Sequence, residues 1–441
     1  MRNPKGSGVV AITCVRDEGA FLINWLAHHR AVGVDHFVVF SNDCTDGTDA
    51  MLDHYASLGW LTHVRNDGPY GTKGIQFTAL NQAAKMPVVK EADWILSIDV
   101  DEFINIHVGD RTLEALMTAR PAADVFMLTW RLFGNAGIQQ FEDRPVTETF
   151  VRAAPEVLFW PWQHAMFKTL YRNTGVYKKP GVHRPRALQD GMEDRVVWVD
   201  GEGRRLSSQF ATKGVIAPFG RPNYGLVQLN HYPLGAMESF ILKVARGRVN
   251  RSEGDFGLGY WVDRNFNQVE ETSITTFAAG QALRADMAAD PVLAALHQKA
   301  VDWRRTRFEN LMADVTYRDL YGQLAGNFHP GPAGFEERHQ LALVVSSPTG
   351  IHPLNAVISG DAPWLERGCR PFVKRIGRLH VIMAIEEHVR GIVRQAVRRV
   401  VADHHRQSGC GPHAGLKADV REHVLGEFRG LQALRLVGAV G

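Results

Sequence analysis

The run Asp93-Trp94-Ile95-Leu96-Ser97-Ile98-Asp99-Val100-Asp101-Glu102-Phe103 carries the clearest chemistry in this 441-residue chain. Trp94 to Ile98 is too apolar for an exposed strand and too short for a helix, so it reads as a central strand buried on both faces. The strand ends in two carboxylates spaced by one residue. In an extended chain Asp99 and Asp101 project to the same side, roughly 7 Å apart at about 3.3 Å of rise per residue. Hard oxygen ligands at that spacing suit Mn²⁺ or Mg²⁺, and such a cation in turn binds phosphate oxygens. A bare D-x-D also occurs as an ordinary polar strand end, so the elements around it have to decide.

Those elements alternate. Val9 to Cys14 reads as a strand, Gly19 to Ala31 as a helix, His36 to Ser41 as a strand, Thr48 to Leu58 as a helix and Trp60 to Val64 as a strand. A helix over Lys73 to Lys85 leads into the strand before Asp99. This is the rhythm of βαβ units and of a mainly parallel sheet covered by helices on both faces. Ligands in such sheets bind at the carboxyl ends of the strands. Three polar clusters fall there: Thr13 to Glu18, Ser41 to Thr48, and Asp99 to Asp101. Asp43 to Thr48 is equally a helix-entry turn, with Thr45 or Asp46 as cap and Gly47 for the turn.

The clusters belong to a longer pattern. It comprises Val15-Arg16-Asp17-Glu18, Trp25-Leu26, His29, Gly33-Val34-Asp35, Asn42 to Thr48 and Asp99-Val100-Asp101-Glu102-Phe103. Trp130 to Asn135, Lys168, Gly181-Val182-His183, Asn230-His231-Tyr232, Ser239, Lys243 and Arg246-Gly247 extend it. In order and spacing this pattern, over about residues 8 to 250, resembles the family-2-type glycosyltransferases of bacteria and the related family-92-like group.

The resemblance implies a GT-A fold, a Rossmann-like and mainly parallel α/β sheet, with a nucleotide-sugar donor and a divalent metal, Mn²⁺ or Mg²⁺. It also implies roles. Thr13, Arg16 and Glu18, with Asp43 or Asp46, line the nucleoside pocket. Asp99 faces the ribose or the metal, and Asp101 is the metal and diphosphate ligand. His231 or His183 supplies a late imidazole ligand, the other ring nitrogen needing an acceptor of its own. Gln76 and Asn81 can approach the donor from the helix before the D-x-D strand, although exposed helix amides serve as well.

Transfer from a sugar nucleotide breaks the anomeric C–O bond and leaves negative charge on the β-phosphate, which cations stabilise. Lys168, Lys243, Arg246 and Arg248 are candidates to supplement the metal; each also reads as part of a solvated basic face. An inverting transfer further needs a carboxylate within about 2.6–3.2 Å of the acceptor hydroxyl. Glu142-Asp143, Glu193-Asp194 and Glu148 offer candidates, and the bases considered are Glu148, Asp143 and Asp194. Two rival readings are a haloacid-dehalogenase-like phosphatase and a non-catalytic sugar- or nucleotide-binding module. The former normally opens its domain with the Asp-x-Asp and has a hydroxyl residue two positions on, where this chain has Phe103.

Composition sets bounds. Lys plus Arg number 50 against 47 Asp plus Glu, a formal charge of +3 that gives no case for nucleic acid. Cys14, Cys44, Cys369 and Cys410 show no metal spacing, and a reducing cytoplasm suits them. Met1 to Gly8 is short and polar, and no apolar run is long enough to span a bilayer. The expected organisation is a catalytic domain over 1–270, a helical extension over 271–327 and a linker with a basic helical tail over 328–441. Arg251 to Trp261 reads as a glycine- and aromatic-rich loop, either plain or able to close over a substrate. Asp290-Pro291 reads as a helix start, with Leu296, Trp303, Phe308 and Leu311 on the apolar side. The expected helix over Ile382 to Arg406 is amphipathic and basic, so it packs on protein or rests at the inner membrane face, where a glycan or lipid-linked acceptor is met.

Overall fold

The computed structural model describes residues 8–68, 70, 74–158, 161–218, 220–247 and 257–326, with the backbone of 340–347 and 350–357. Nine strands form the main sheet: β1 (Val9–Val15), β2 (His36–Ser41), β3 (Leu61–Arg65), β4 (Trp94–Ser97), β5 (Glu102–Ile106), β6 (Val125–Leu132), β7 (Phe167–Arg172), β8 (Trp198–Val199) and β9 (Val227–His231). Their order is β3-β2-β1-β4-β7-β6-β9-β5, with β8 beside β6. The first four run parallel, β7 is antiparallel to both neighbours, β9 is parallel to β6, and β5 returns antiparallel to β9. The sheet is therefore mixed and mostly parallel, as expected for the GT-A type.

The alternation of side chains along β1 sorts the helices. Val9, Ala11 and Val15 pack in the core that includes Leu22, Trp25 and Leu26 of helix α1 (Gly19–Val32) and Met51, Leu52 and Tyr55 of α2 (Thr48–Ser57). Val10 and Ile12 face the other way, onto Ala79, Leu80 and Ala83 of α3 (Ile75–Ala83). Strands that must be apolar on both faces have no polar side to advertise, which is why they read as continuous apolar runs. α1 stops at Gly33, whose φ of 112° is open to glycine at little cost. His28 and His29 are buried in this helix: His28 Nε2 donates to Ile104 O at 2.7 Å, and His29 Nδ1 donates to Trp25 O at 2.9 Å.

Four later helices cover the sheet's flank: α4 (Met237–Arg246), α5 (Ala278–Ala288), α6 (Pro291–Leu311) and α7 (Val315–Gly326). The expected start of α6 is present, with Asp290 Oδ1 accepting from the backbone N–H of Val292 and Leu293 at 2.8 and 2.9 Å. Leu293 joins the main core beside α1 and α2, while Leu311 and Leu324 pack with Phe240 and Trp261. Tyr260 and Trp261, expected in a loop, lie in a short helix, Leu258–Val262, against Phe240.

Residues 1–331 form one compact unit and 332–441 another. Within the second, the stretch read as a linker contains an antiparallel hairpin, Gln340–Ser347 with Gly350–Val357. The prolines and glycines of 328–371 masked the apolar run Leu341 to Val345, which is strand-like in its own right through Val344 and Val345. The expected basic helix over 382–406, most of the Arg251 to Trp261 loop and Arg248 lie outside the described residues. Among those described, no helix is long and apolar enough to cross a membrane.

Candidate functional site

Sheet register brings the chemistry to one edge. β4 ends at Ser97, and β7, antiparallel to it, begins with Phe167 and Lys168 at the same edge. β6 and β9 finish there with Trp130 to Leu132 and with His231, whose register partner on β5 is Glu102. Residues up to 129 positions apart, as Glu102 and His231 are, thus meet because neighbouring strands are paired, not because the chain is locally folded.

Asp99 and Glu102 share one buried cation. Lys168 Nζ is 2.7 Å from Asp99 Oδ2 and 3.6 Å from Glu102 Oε2, and Lys168 is 1% exposed. Burial works against the Lys168 charge, but Asp99 and Glu102 prevail and raise its pKa. Glu102 is fully buried and serves as a bracket: Oε1 accepts from Trp130 Nε1–H at 2.6 Å and Oε2 from the Asp99 N–H at 2.9 Å. Burial pushes its carboxyl up to about 8 against the pull of Lys168. Trp25 Nε1–H donates to the carbonyls of Asp99 and Glu102, both at 3.1 Å, and so fixes the turn between the carboxylates. Glu102, Trp25 and Trp130 stand in the sequence pattern, but their holding roles depend on contacts from three separate elements.

Asp101 has its own pair. Lys243 Nζ of α4 lies 2.9 Å from Asp101 Oδ2 and also donates to Pro233 O at 2.7 Å. Burial acts to raise the Asp101 pKa; Lys243 and then His231 outweigh it and hold the carboxyl well below the usual range. The remaining oxygen, Oδ1, faces His231 Nε2 at 3.7 Å. That gap is too long for a hydrogen bond. Burial lowers the pKa of His231, favouring a neutral ring. Its Nδ1 is buried without a partner. His183 is arranged the other way: its Nδ1–H donates to Phe167 O at 3.0 Å, which leaves Nε2 as the lone-pair nitrogen. The two imidazoles flank Trp130, with ring centroids 4.2 Å (His231) and 5.8 Å (His183) away.

A cation at this edge can be tested against those atoms. Among the described residues no group of three or more His, Cys, Asp or Glu side chains is set to hold a metal ion. Asp101 Oδ1 and His231 Nε2 do face one another as an anionic oxygen and a neutral imidazole nitrogen, a donor set that suits Mn²⁺ or Mg²⁺ if phosphate oxygens complete the shell. Two protein ligands fit; a closed protein cage does not.

The strand ends of β1 and β2 are held mainly by structural bonds. Asp46, 1% exposed, accepts from Gly19 N–H at 2.9 Å and Thr48 N–H at 2.8 Å, so its charge sits between the N-termini of α1 and α2. Asp17 accepts from the Thr45 backbone at 2.6 Å, and Asp43 accepts from Tyr70 OH at 2.8 Å. Glu18 pairs with Arg246 of α4 at 2.6 Å, and Arg246 also donates to the Arg16 carbonyl. Thr13 Oγ1 and Arg16 Nε are buried without hydrogen-bond partners. Gln76 opens α3 on the opposite face, and Asn81 accepts from Arg186 at 3.2 Å. Burial pushes the Cys14 and Cys44 thiols up to about 12, so neither is a ready nucleophile.

A cleft of roughly 880 Å³, its solvent mouth included, opens beside Asp101. Its lining includes Lys243, Arg246, Tyr232 and Ser239, with Phe21, Phe141, Glu142 and Arg304. The base candidates are placed as follows. Glu148 is bound to Arg284 at 2.6 Å, Asp143 accepts from His297 at 2.8 Å, and Asp194 is exposed in a turn. None of the three lines the cleft, whereas Glu142 does.

Comparison with known proteins gives a partial match. Residues 10–202 match the model of glycosyltransferase family 92. Over 160 residues the chain is 24% identical to a glycosyltransferase family 92 protein of Oryza sativa subsp. japonica, covering 34% of this chain and 26% of that protein. A second, from Ricinus communis, is 22% identical over 152 residues, covering 33% and 26%. The match thus spans about a quarter of the curated relatives' length, and both relatives are plant proteins. The structure of Staphylococcus aureus TarS 1-349 in complex with UDP-GlcNAc aligns at a TM-score of 0.26 and 12% identity over 73% of this chain and 80% of that one. Core-mannan synthase A of Aspergillus fumigatus, in its Mn/GDP form, aligns at 0.19 and 10% identity over 30% and 44%. At these scores the structural likenesses carry no argument.

Proposed function

We propose that the chain is a glycosyltransferase that moves a sugar from a nucleoside-diphosphate donor to a glycan or lipid-linked acceptor. The observation that carries the reading is the Asp99-x-Asp101 turn at the carboxyl edge of the sheet, its carboxylates held by Lys168 and Lys243, inside the stretch that matches family 92. Breakage of the anomeric C–O bond sends an electron pair to the β-phosphate oxygen. Lys243 and Arg246 border the cleft where that charge appears, and their fixed positions cost no reorganisation during the reaction. Asp101 and His231 would hold a Mn²⁺ or Mg²⁺ ion, which would neutralise the leaving diphosphate. Asp99 orients Lys168 and the turn, and the strand ends at Thr13, Arg16, Glu18 and Asp43 form the nucleoside side.

An inverting course needs a base on the acceptor side, and this reading assigns the role to Glu142. It borders the cleft, and its ion pair with Arg144, at 3.5 Å with both side chains more than half exposed, is weak enough to exchange for an acceptor hydroxyl. The phosphatase alternative gains nothing from the site: both carboxylates are ion-paired, and Phe103 is fully buried where that class places a hydroxyl.

A thermal-shift panel tests the reading. Uridine or guanosine diphosphate at 100 times its dissociation constant should add about 2.7 kcal/mol of apparent stability, and Mn²⁺ should increase the effect. Inorganic phosphate matching the nucleotides, with metal making no difference, would remove the donor site.

A further inference from the structure

The basic side chains bordering the cleft are not alike. Lys243 is bound to Asp101, Arg246 to Glu18, and Arg144 to Glu142. Arg304 of α6 is 7% exposed and has no hydrogen bond or ion pair with any described residue; its Nε is buried and unpartnered. The guanidinium carbon sits 4.6 Å from the Phe21 ring centroid and 4.9 Å from that of Phe141. The carboxylates nearby are engaged elsewhere, Asp17 by Thr45, Asp46 by two helix N-termini and Glu18 by Arg246.

A buried cation with no direct ion-pair partner is costly, and proteins seldom keep one without a use. Two aromatic rings hold this guanidinium through cation–π contact, while its N–H donors lie in the guanidinium plane and make no hydrogen bond to a described residue. A planar fork of free donors is matched by a phosphate or a carboxylate, which it binds through two parallel charge-assisted bonds. Arg304 borders the same cleft as Asp101. We infer that Arg304 is an anion-recognition residue for the second substrate, and that the acceptor carries a phosphate or carboxylate group near the hydroxyl that is glycosylated. The word acceptor rests on the transferase reading; the anion site does not.

The test uses the full chain and inorganic phosphate, titrated by calorimetry at constant ionic strength with saturating uridine or guanosine diphosphate present. Phosphate should bind alongside the nucleotide. Arg304→Lys, which keeps the charge but loses the fork, should weaken phosphate by about tenfold or more, in line with loss of a charge-assisted hydrogen bond. Arg304→Met should abolish phosphate binding. Phosphate that competes with nucleotide, or that binds both variants as tightly as the parent, overturns the inference. If neither nucleotide binds the parent, the transferase reading fails by itself, and titration without nucleotide still reads the Arg304 site. Should the variants not fold, anomalous diffraction from parent crystals soaked in selenate decides: an anion on the Arg304 guanidinium supports the site, and anions found only elsewhere overturn it.

Discussion

The turn around Asp99 and Asp101 and the cleft wall around Arg304 handle charge in opposite ways. In the turn, Asp99, Asp101, Glu102, Lys168 and Lys243 are cross-bound within 3.6 Å, so burial is matched by partners. On the wall, the Arg304 guanidinium is buried against two rings and makes no hydrogen bond or ion pair with a described residue. The first arrangement is preorganised: its dipoles and charges are fixed before any substrate arrives. The second is incomplete without a ligand. A site that pairs its charges is stiff and ready for chemistry, and one that leaves a charge unpaired is poised for recognition.

The largest expected effect breaks the paired side. Lys168→Met leaves the buried Glu102 and the partly exposed Asp99 without their shared cation and should cost about 3 kcal/mol, the low end for removing one partner of a buried pair because Asp99 is screened by solvent. Urea unfolding measures it; a midpoint unchanged from the parent would show that Asp99 and Glu102 do not depend on Lys168. Asp101→Asn keeps the shape of the side chain but removes the charge that Lys243 and a cation need. Transfer should fall by about 10²–10³, equivalent to about 3–4 kcal/mol, with a near-parental melting temperature. A variant that melts normally and turns over at the parental rate would sink the mechanism.

Protonation offers a milder probe of the same packing. Burial lowers His28, His164 and His183 from 6.5 to about 4. A group with a depressed folded pKa binds more protons when unfolded, so its stabilising contribution is present above pH 6.5 and is lost as pH falls from 6.5 towards 4. The melting temperature should therefore decline steadily through that window, and NMR titration should place the His28 ring near 4. Rings titrating at 6.5 would mean the core around Trp130 and Ile104 is open to water. The smallest effect belongs to Glu148→Gln. It breaks an ion pair with Arg284 in which both side chains are about a quarter exposed, and should cost about 0–1 kcal/mol with transfer unaltered. A loss of transfer without a loss of stability would return Glu148 to the candidates for the base.

Much of this was legible in the chain. The five elements from Val9 to Arg65 fall within one or two residues of their sequence boundaries, because apolar runs, Gly33, and the turn residues before Thr48 encode local geometry. The D-x-D turn was legible for the same reason: strand and carboxylates are contiguous. The hairpin over 340–357 was missed because proline and glycine content outweighed its β-branched residues. The partners of the site residues lay beyond local reading. Asp46 reads in sequence as a donor ligand or as a cap for the helix at Thr48; that it also accepts from the first N–H of a second helix depends on Gly19 from another element.

The sequence alone determined the order of strands and helices up to the Asp99 strand and the two carboxylates at that strand's end, since each depends on residues near one another in the chain. Only the tertiary structure decided that Lys168 binds Asp99 and Lys243 binds Asp101, that Glu142 rather than Asp143 borders the cleft, and that Arg304 has no ion-pair partner among the described residues. Pairing between charges 69 to 142 residues apart is set by strand register and helix docking. Those follow from burying apolar surface over the whole molecule, and no window of sequence contains that sum.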